Sequence, residues 1–209
     1  MHLTKSDLEN TERIKRLNLV NSVTGVKPAN LIGTKSNSGK RNLAIFSSVF
    51  HLGSNPALIG MICRPAGDVP RNTLDNIQQN AIYTINSVPK KLIRKAHYTS
   101  AKFDNSVDEF ESCQIEPEVI SGFDAPFVKD SPLKMGMHLQ ELIPLSINNT
   151  ILIIGSIEHL LIDDKILDDN GYIELDKANI VGIGGLNNYY SLHHQEQHPY
   201  ARASELPNF

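Results

Sequence analysis

Two short runs carry the most suggestive chemistry in this chain: Ser47-Ser48, ending "RNLAIFSS", and Arg71-Asn72-Thr73, leading into "LDNIQQN". Hydroxyls, an amide and a guanidinium all donate hydrogen bonds. A helix starting near Thr73 adds unpaired backbone N–H groups and the positive end of its dipole. Brought together, such groups bind an anion, a phosphate above all. Taken alone, Arg71-Asn72-Thr73 is accounted for by helix capping, which Asn and Thr commonly provide. Strand-end serines are likewise ordinary turn chemistry. A phosphorylated ligand needs both runs, and the intervening loop with Pro65 and Gly67, to converge.

Other segments with a chemical look fail on spacing. "GIGGLNNYY" (Gly182 to Tyr190) places Asn187 where a dinucleotide loop needs its third glycine, and no βαβ unit surrounds it. Close backbone approach, with Tyr189 or Tyr190 packed nearby, is the better reading. "DDNGYIELD" has the glycine of a calcium loop, but the alignment puts Ile166 and Lys177 at the end positions that need carboxylates, so a hairpin turn is expected. His193, His194 and His198 sit in a polar tail without carboxylate or thiolate companions. His51, His97, His138 and His159 are dispersed, and no nucleophile elbow or catalytic cysteine signature occurs. No metal ligands are assigned. Lys90, Lys91, Arg94 and Lys95 read as a solvated helix face, with docking of anionic cofactors as the minor alternative.

The elements that must position these residues are mostly strands. "ANLIGTK", "RNLAIFSSV", "PALIGMICR", "AIYTINSV", "KMGMHLQELIPLSI" and "NTILIIGSIEHLLID" are apolar or β-branched runs, separated by turn residues such as "SNSGK". "VNSVTG" reads as a further strand. "SDLE" (Ser6 to Glu9) matches a capping box for a first helix over 6–18. "TLDNIQQN" predicts a short helix, Pro89 opens another, and "VDEFESC" gives one turn. Many strands with few helices argue for a closed antiparallel barrel over a doubly wound sheet.

The 209 residues, 40% hydrophobic and 21% charged, suit one domain, with the first helix and a tail at 191–209 as extensions. A net charge of −3 gives no overall pull toward nucleic acid or anionic membrane. Apolar runs are too short to span a bilayer, and the amino terminus lacks a secretory core, so a cytoplasmic protein is expected. Cys63 and Cys113 are far apart and are expected to be reduced and buried.

Taken in order, "NLVNSVTGVKPANLIGT", "RNLAIFSSVFHLGSNPALIGMICRP", "RNTLDNI", "VDEF" and "GIGGLNNYY" resemble the flavin reductase-like family, the FMN-binding split β-barrels, from about Asn18 to Tyr190. The features are N-x-A-x-F-S-S, a strand with Asn55-Pro56 where the family often has Asp-Pro-Pro, and Arg-x-Thr entering a helix. The loop "RPAGDVPRNT" is longer than usual. The resemblance implies a mainly β, Greek-key-like antiparallel split barrel with accessory helices, assembled as a homodimer with one FMN per subunit near the interface. It implies that Ser47, Ser48, Arg71, Asn72 and Thr73 hold the phosphate and ribityl chain. Val49, Phe50, Cys63 and Pro65 would line the isoalloxazine, and Tyr98 or Tyr190 would approach from another segment.

The implied activity is an FMN-dependent oxidoreductase of the NAD(P)H:flavin reductase type, with hydride passing through flavin N5 from NADH or NADPH. A partner monooxygenase or redox protein would take the electrons. Because the cofactor carries the chemistry, no catalytic side chain is expected. The alternatives are a non-enzymatic FMN-binding electron-transfer or flavin-carrier protein, and a barrel that has lost flavin and serves as an interaction module.

Overall fold

The computed structural model describes residues 1–65, 67, 71–104 and 106–207. Two helices open the chain, α1 (Lys5–Asn10) and α2 (Arg13–Ser22). Strands β1 (Lys27–Pro28), β2 (Asn30–Lys35), β3 (Arg41–Phe46), β4 (Val49–Ser54) and β5 (Ala57–Cys63) follow, then α3 (Asn72–Asn80) and β6 (Ile82–Ser87). After α4 (Ile93–Tyr98) and α5 (Glu109–Ser112) come β7 (Pro117–Ile120), β8 (Phe123–Val128), β9 (Leu133–Leu145) and β10 (Thr150–Ile162). The hairpin β11 (Val181–Gly184) and β12 (Asn188–Ser191) completes the order. Among the described residues no helix is long and apolar enough to cross a membrane.

Seven strands form the main sheet in the order β3-β2-β6-β9-β10-β5-β4, every pair antiparallel. The sequential pairs β2–β3, β9–β10 and β4–β5 are linked through the non-consecutive pairings β2–β6, β6–β9 and β10–β5, which is Greek-key-like wiring. The two edge strands, β3 and β4, are consecutive in sequence and joined only by Ser47 and Ser48. Three Cα steps span at most about 11 Å, whereas the edges of a flat seven-stranded sheet lie about 29 Å apart. The sheet must therefore curl until its edges nearly meet. The result is a barrel left split at the two serines. Ser48 Oγ donates to the Ile62 carbonyl at 2.8 Å, and Ile62 N–H donates to the Ser48 carbonyl at 3.3 Å, holding β5 against the split.

Alternation of side chains along a strand explains the two main cores. Leu31 of β2 packs with Leu43, Val88, Leu92, Ala96, Phe110 and Ile183 on the helix side, while its neighbour Ile32 packs with Met61, Ile77, Tyr83, Ile85, Met137 and Ile153 inside the barrel. Covered on both faces, β2 is buried along nearly its whole length. Cys63 and Cys113 are free and buried, one in each core.

Two local expectations are corrected. The capping box uses Thr4 and Asp7, which bond reciprocally, rather than Ser6 and Glu9. The Glu12 carboxylate then caps a second helix by accepting from Ile14 and Lys15 N–H, so the expected single helix over 6–18 is two. The second runs through Val20–Asn21–Ser22, where a strand was expected. Once a capped nucleus exists, propagation costs little, and the β preference of one valine is too weak to stop it. The other expected strands lie at their runs, while β4, β7, β8, β11 and β12 were not anticipated. Asp168 accepts from Asn170 and Tyr172 N–H to make the expected turn in "DDNGYIELD". A β-carbon at Gly184 would come within 2.7 Å of the Tyr190 ring, the close approach expected of "GIGG".

Candidate functional site

A cleft of about 810 Å³ opens at the barrel split, within the size range of small-molecule sites. β3 contributes Asn42, Ala44, Ile45 and Phe46, followed by Ser47 and Ser48; β5 and its exit contribute Ile62, Cys63, Arg64 and Gly67. Arg71, Asn72 and Thr73 open α3 along one wall. His97 and residues 99–103 form another, with Glu109, Ile183, Leu186, Asn187 and Asn21 of α2 at the margins. The two runs singled out from sequence thus meet in one place, because the curl of the sheet carries the end of β3 to the end of β5.

The α3 corner is built for an anion. Arg71 occupies the cap position without a side-chain cap bond, and the first intrahelical bond runs from Asp75 N–H to the Arg71 carbonyl at 3.0 Å. The capping explanation for Asn72 and Thr73 therefore fails among the described residues. The half-buried Arg71 spends Nε on the Pro65 carbonyl at 3.2 Å, and among the described residues its terminal nitrogens have no hydrogen-bond partner. Thr73 is 5% exposed, and its Oγ1 accepts from Asn42 Nδ2 at 3.0 Å. The same amide donates to Thr34 Oγ1 at 3.3 Å, which also accepts from Asn76 Nδ2 at 3.0 Å. A buried polar network beneath α3 thereby sets the orientation of Thr73.

The floor differs in character. Ile45, Phe46, Ile62 and Cys63 are apolar, and burial pushes the Cys63 thiol up in pKa, with the Arg71 and Arg64 charges opposing. β3 is an edge strand among the described residues, so alternate N–H groups point away from its partner, β2. That of Leu43 is taken by the Glu109 carboxylate at 3.1 Å. Two residues on, the outward backbone groups of Ile45 face the cleft. Glu109 is buried, which holds its carboxyl above the usual range despite bonds from its own and the Leu43 amide. His97 Nδ1 and Tyr189 Oη lie 3.1 Å apart, tying α4 to the β11–β12 hairpin.

Of the site residues expected from sequence, Ser47, Ser48, Cys63, Arg71, Asn72 and Thr73 line this cleft, and Pro65 adjoins it through its carbonyl. Val49 is buried in the barrel core, and the Phe50 ring lies against the backbone of Gly60, 40% exposed. Tyr98 and Tyr190 are exposed and do not line the cleft of a single chain. Ala66, Asp68, Val69 and Pro70 of the long loop lie outside the described residues. Sequence reasoning assigned no role to Asn42, His97, Glu109 or residues 99–103. Thr99-Ser100 followed by Lys102 repeats the hydroxyl-pair-and-cation pattern of the recognised runs and was the available signal. Both hydroxyls donate to α4 carbonyls, of Ala96 and His97.

A family model described as flavin reductase like domain matches residues 26–176, leaving only the β11–β12 hairpin and the α2 margin of the cleft outside. A crystal structure assigned as a flavin reductase with a split barrel domain, from Shewanella frigidimarina, is 44% identical with a TM-score of 0.92, covering 96% of this chain and all (100%) of that one. Nitrilotriacetate monooxygenase component B from Bacillus cereus is 17% identical at a TM-score of 0.83, covering 94% and 98%. Flavoredoxin from Desulfovibrio vulgaris is 23% identical at 0.72, covering 86% and 93%. The last two share the fold. On the strength of the family match and the Shewanella structure, the chain belongs to the flavin reductase-like family and has its split-barrel fold.

Proposed function

We propose that this protein binds FMN in the cleft at the barrel split and acts as an NAD(P)H-dependent oxidoreductase. The observation that carries the reading is the α3 corner: a helix start with no side-chain cap among the described residues, Arg71 and Thr73 line one cleft, and together they offer the directed donors a monophosphate needs. Ser47 and Asn72 would hold the ribityl chain, while Ser48, its proton committed to Ile62, serves as an acceptor. The apolar floor at Ile45, Phe46, Ile62 and Cys63 would take the isoalloxazine, with outward Ile45 backbone groups matching its polar edge. When bound, flavin would supply reversible two-electron chemistry, with N5 as its hydride-accepting atom. The chain's own part is to bind, orient and shield the cofactor, which is why no side-chain nucleophile is required.

A second copy of the chain belongs to the same reading. Helices α1 and α2 bury no residue, and Ile14, Val20 and Val23 are exposed, although helices this short are marginal in water without a surface to cover. Asn21 of α2 sits at the cleft margin, so a copy packed on this arm would lie over the cleft and bring Tyr98 or Tyr190 within reach. A monooxygenase component or redox protein is the expected electron acceptor.

The test is anaerobic addition of NADH, then NADPH, to the FMN-loaded species that sediments as two chains. Loss of the oxidised flavin absorbance, restored by oxygen or free flavin, is the expected result. Bleaching by dithionite but by neither nicotinamide would make the protein an electron carrier, and a monomer that retains FMN would remove the second copy from the site.

A further inference from the structure

We infer that Asn42 is a positioning residue that turns the Thr73 hydroxyl into a phosphate donor; this rests on the cofactor reading above. Thr73 Oγ1 has one proton to give and lone pairs to receive. Asn42 Nδ2 fills a lone pair at 3.0 Å, so the Thr73 proton points away from Asn42. Among the described residues it meets no acceptor, and Thr73 lines the cleft beside the uncapped start of α3. In this structure the amide turns its nitrogen, not its oxygen, toward the hydroxyls. Its nitrogen faces two hydroxyl oxygens, Thr34 Oγ1 and Thr73 Oγ1, and Thr34 Oγ1 also receives Asn76 Nδ2. All four side chains are buried, Thr34 fully and the others at 5–6% exposure, so the donor direction cannot be exchanged cheaply with water.

The consequence is a polarity rule. With a donor at position 42, the Thr73 proton is presented to the cleft. With an acceptor there, the proton is drawn inward and a lone pair faces the anion instead. Asn42→Asp inverts the polarity at constant shape, whereas Asn42→Ala removes the constraint and leaves the hydroxyl free to rotate. Thr73→Val deletes the hydroxyl while keeping its volume.

Titration of FMN and of riboflavin into the wild type, these variants and the double variants with Thr73→Val, followed by flavin fluorescence, tests the rule. Thermal melts run alongside identify any variant that no longer folds. The expected result is a loss of FMN affinity of about tenfold for Thr73→Val and somewhat less for Asn42→Ala, with riboflavin affinity unchanged. Asn42→Ala should add less than about twofold once Thr73 is Val, because the two residues act through one bond. Asn42→Asp should lose more than Asn42→Ala, and part of its loss should persist in the Thr73→Val background as direct charge repulsion. If Thr73→Val lowers FMN affinity but Asn42→Ala does not, or if the two losses simply multiply, the positioning role is wrong and the cofactor reading stands. If the wild type itself binds riboflavin as tightly as FMN, the phosphate corner is wrong and the role of Asn42 goes with it.

Discussion

Two helices begin near this cleft and treat their positive ends in opposite ways. At α5 the Asp108 carboxylate accepts from Phe110 N–H at 2.9 Å and Glu111 N–H at 3.4 Å, and it pairs with Arg41, Nη2 to Oδ2 at 2.6 Å. The next residue, Glu109, reaches the Leu43 amide of the β3 edge. The Asp108 and Glu109 carboxylates at that helix start are both answered within the chain. At α3 the cap position holds a cation, no side chain among the described residues caps the helix, and the nearest buried hydroxyl has its oxygen filled from behind by Asn42. A capped helix end stabilises the fold, whereas an uncapped one with added positive charge is a place for an anion from outside.

That contrast is sharpest at Arg71. Arg71→Asp gives α3 the kind of cap that α5 has, so FMN affinity should fall by about 3 kcal/mol or more through lost charge-assisted bonds and added repulsion. Thermal stability should rise by about 1 kcal/mol at the same substitution. Paired flavin titrations and denaturation curves on one preparation read both. A variant that loses stability and keeps its affinity would show that Arg71 serves the fold. The complementary change is smaller: Asp108→Ala should cost about 1–2 kcal/mol of stability as the α5 cap is lost, while FMN affinity changes by less than about threefold. A large loss of affinity at Asp108 would mean that the two helix starts share one site.

How far the sequence reveals this arrangement follows from what each residue depends on. β2, β3, β5, β6, β9 and β10 are legible because burial on one or both faces writes an apolar run directly into the chain. α3 is legible from Leu74 and Ile77, which share its buried face. That Ser47-Ser48 and Arg71-Asn72-Thr73 converge is not local information. It follows from a seven-stranded order in which consecutive strands become opposite edges, and only the family resemblance anticipated it. Asn42 was hidden for the same reason: its partners are Thr34 and Thr73, on two other elements. Val20 and Val23 misled because β-branched residues near a turn look like a strand, while the cap that keeps α2 helical, Glu12, stands eight positions before Val20.

The most direct test of the central claim is the ratio of riboflavin to FMN dissociation constants for the wild-type protein, measured by fluorescence titration at low and at moderate salt. The two ligands differ only in the phosphate that the α3 corner is proposed to hold. With a helix start, Arg71 and Thr73 all engaged, FMN should bind at least about a hundredfold more tightly at low salt, and added salt should narrow the gap. Equal affinities, unmoved by salt, would contradict the account.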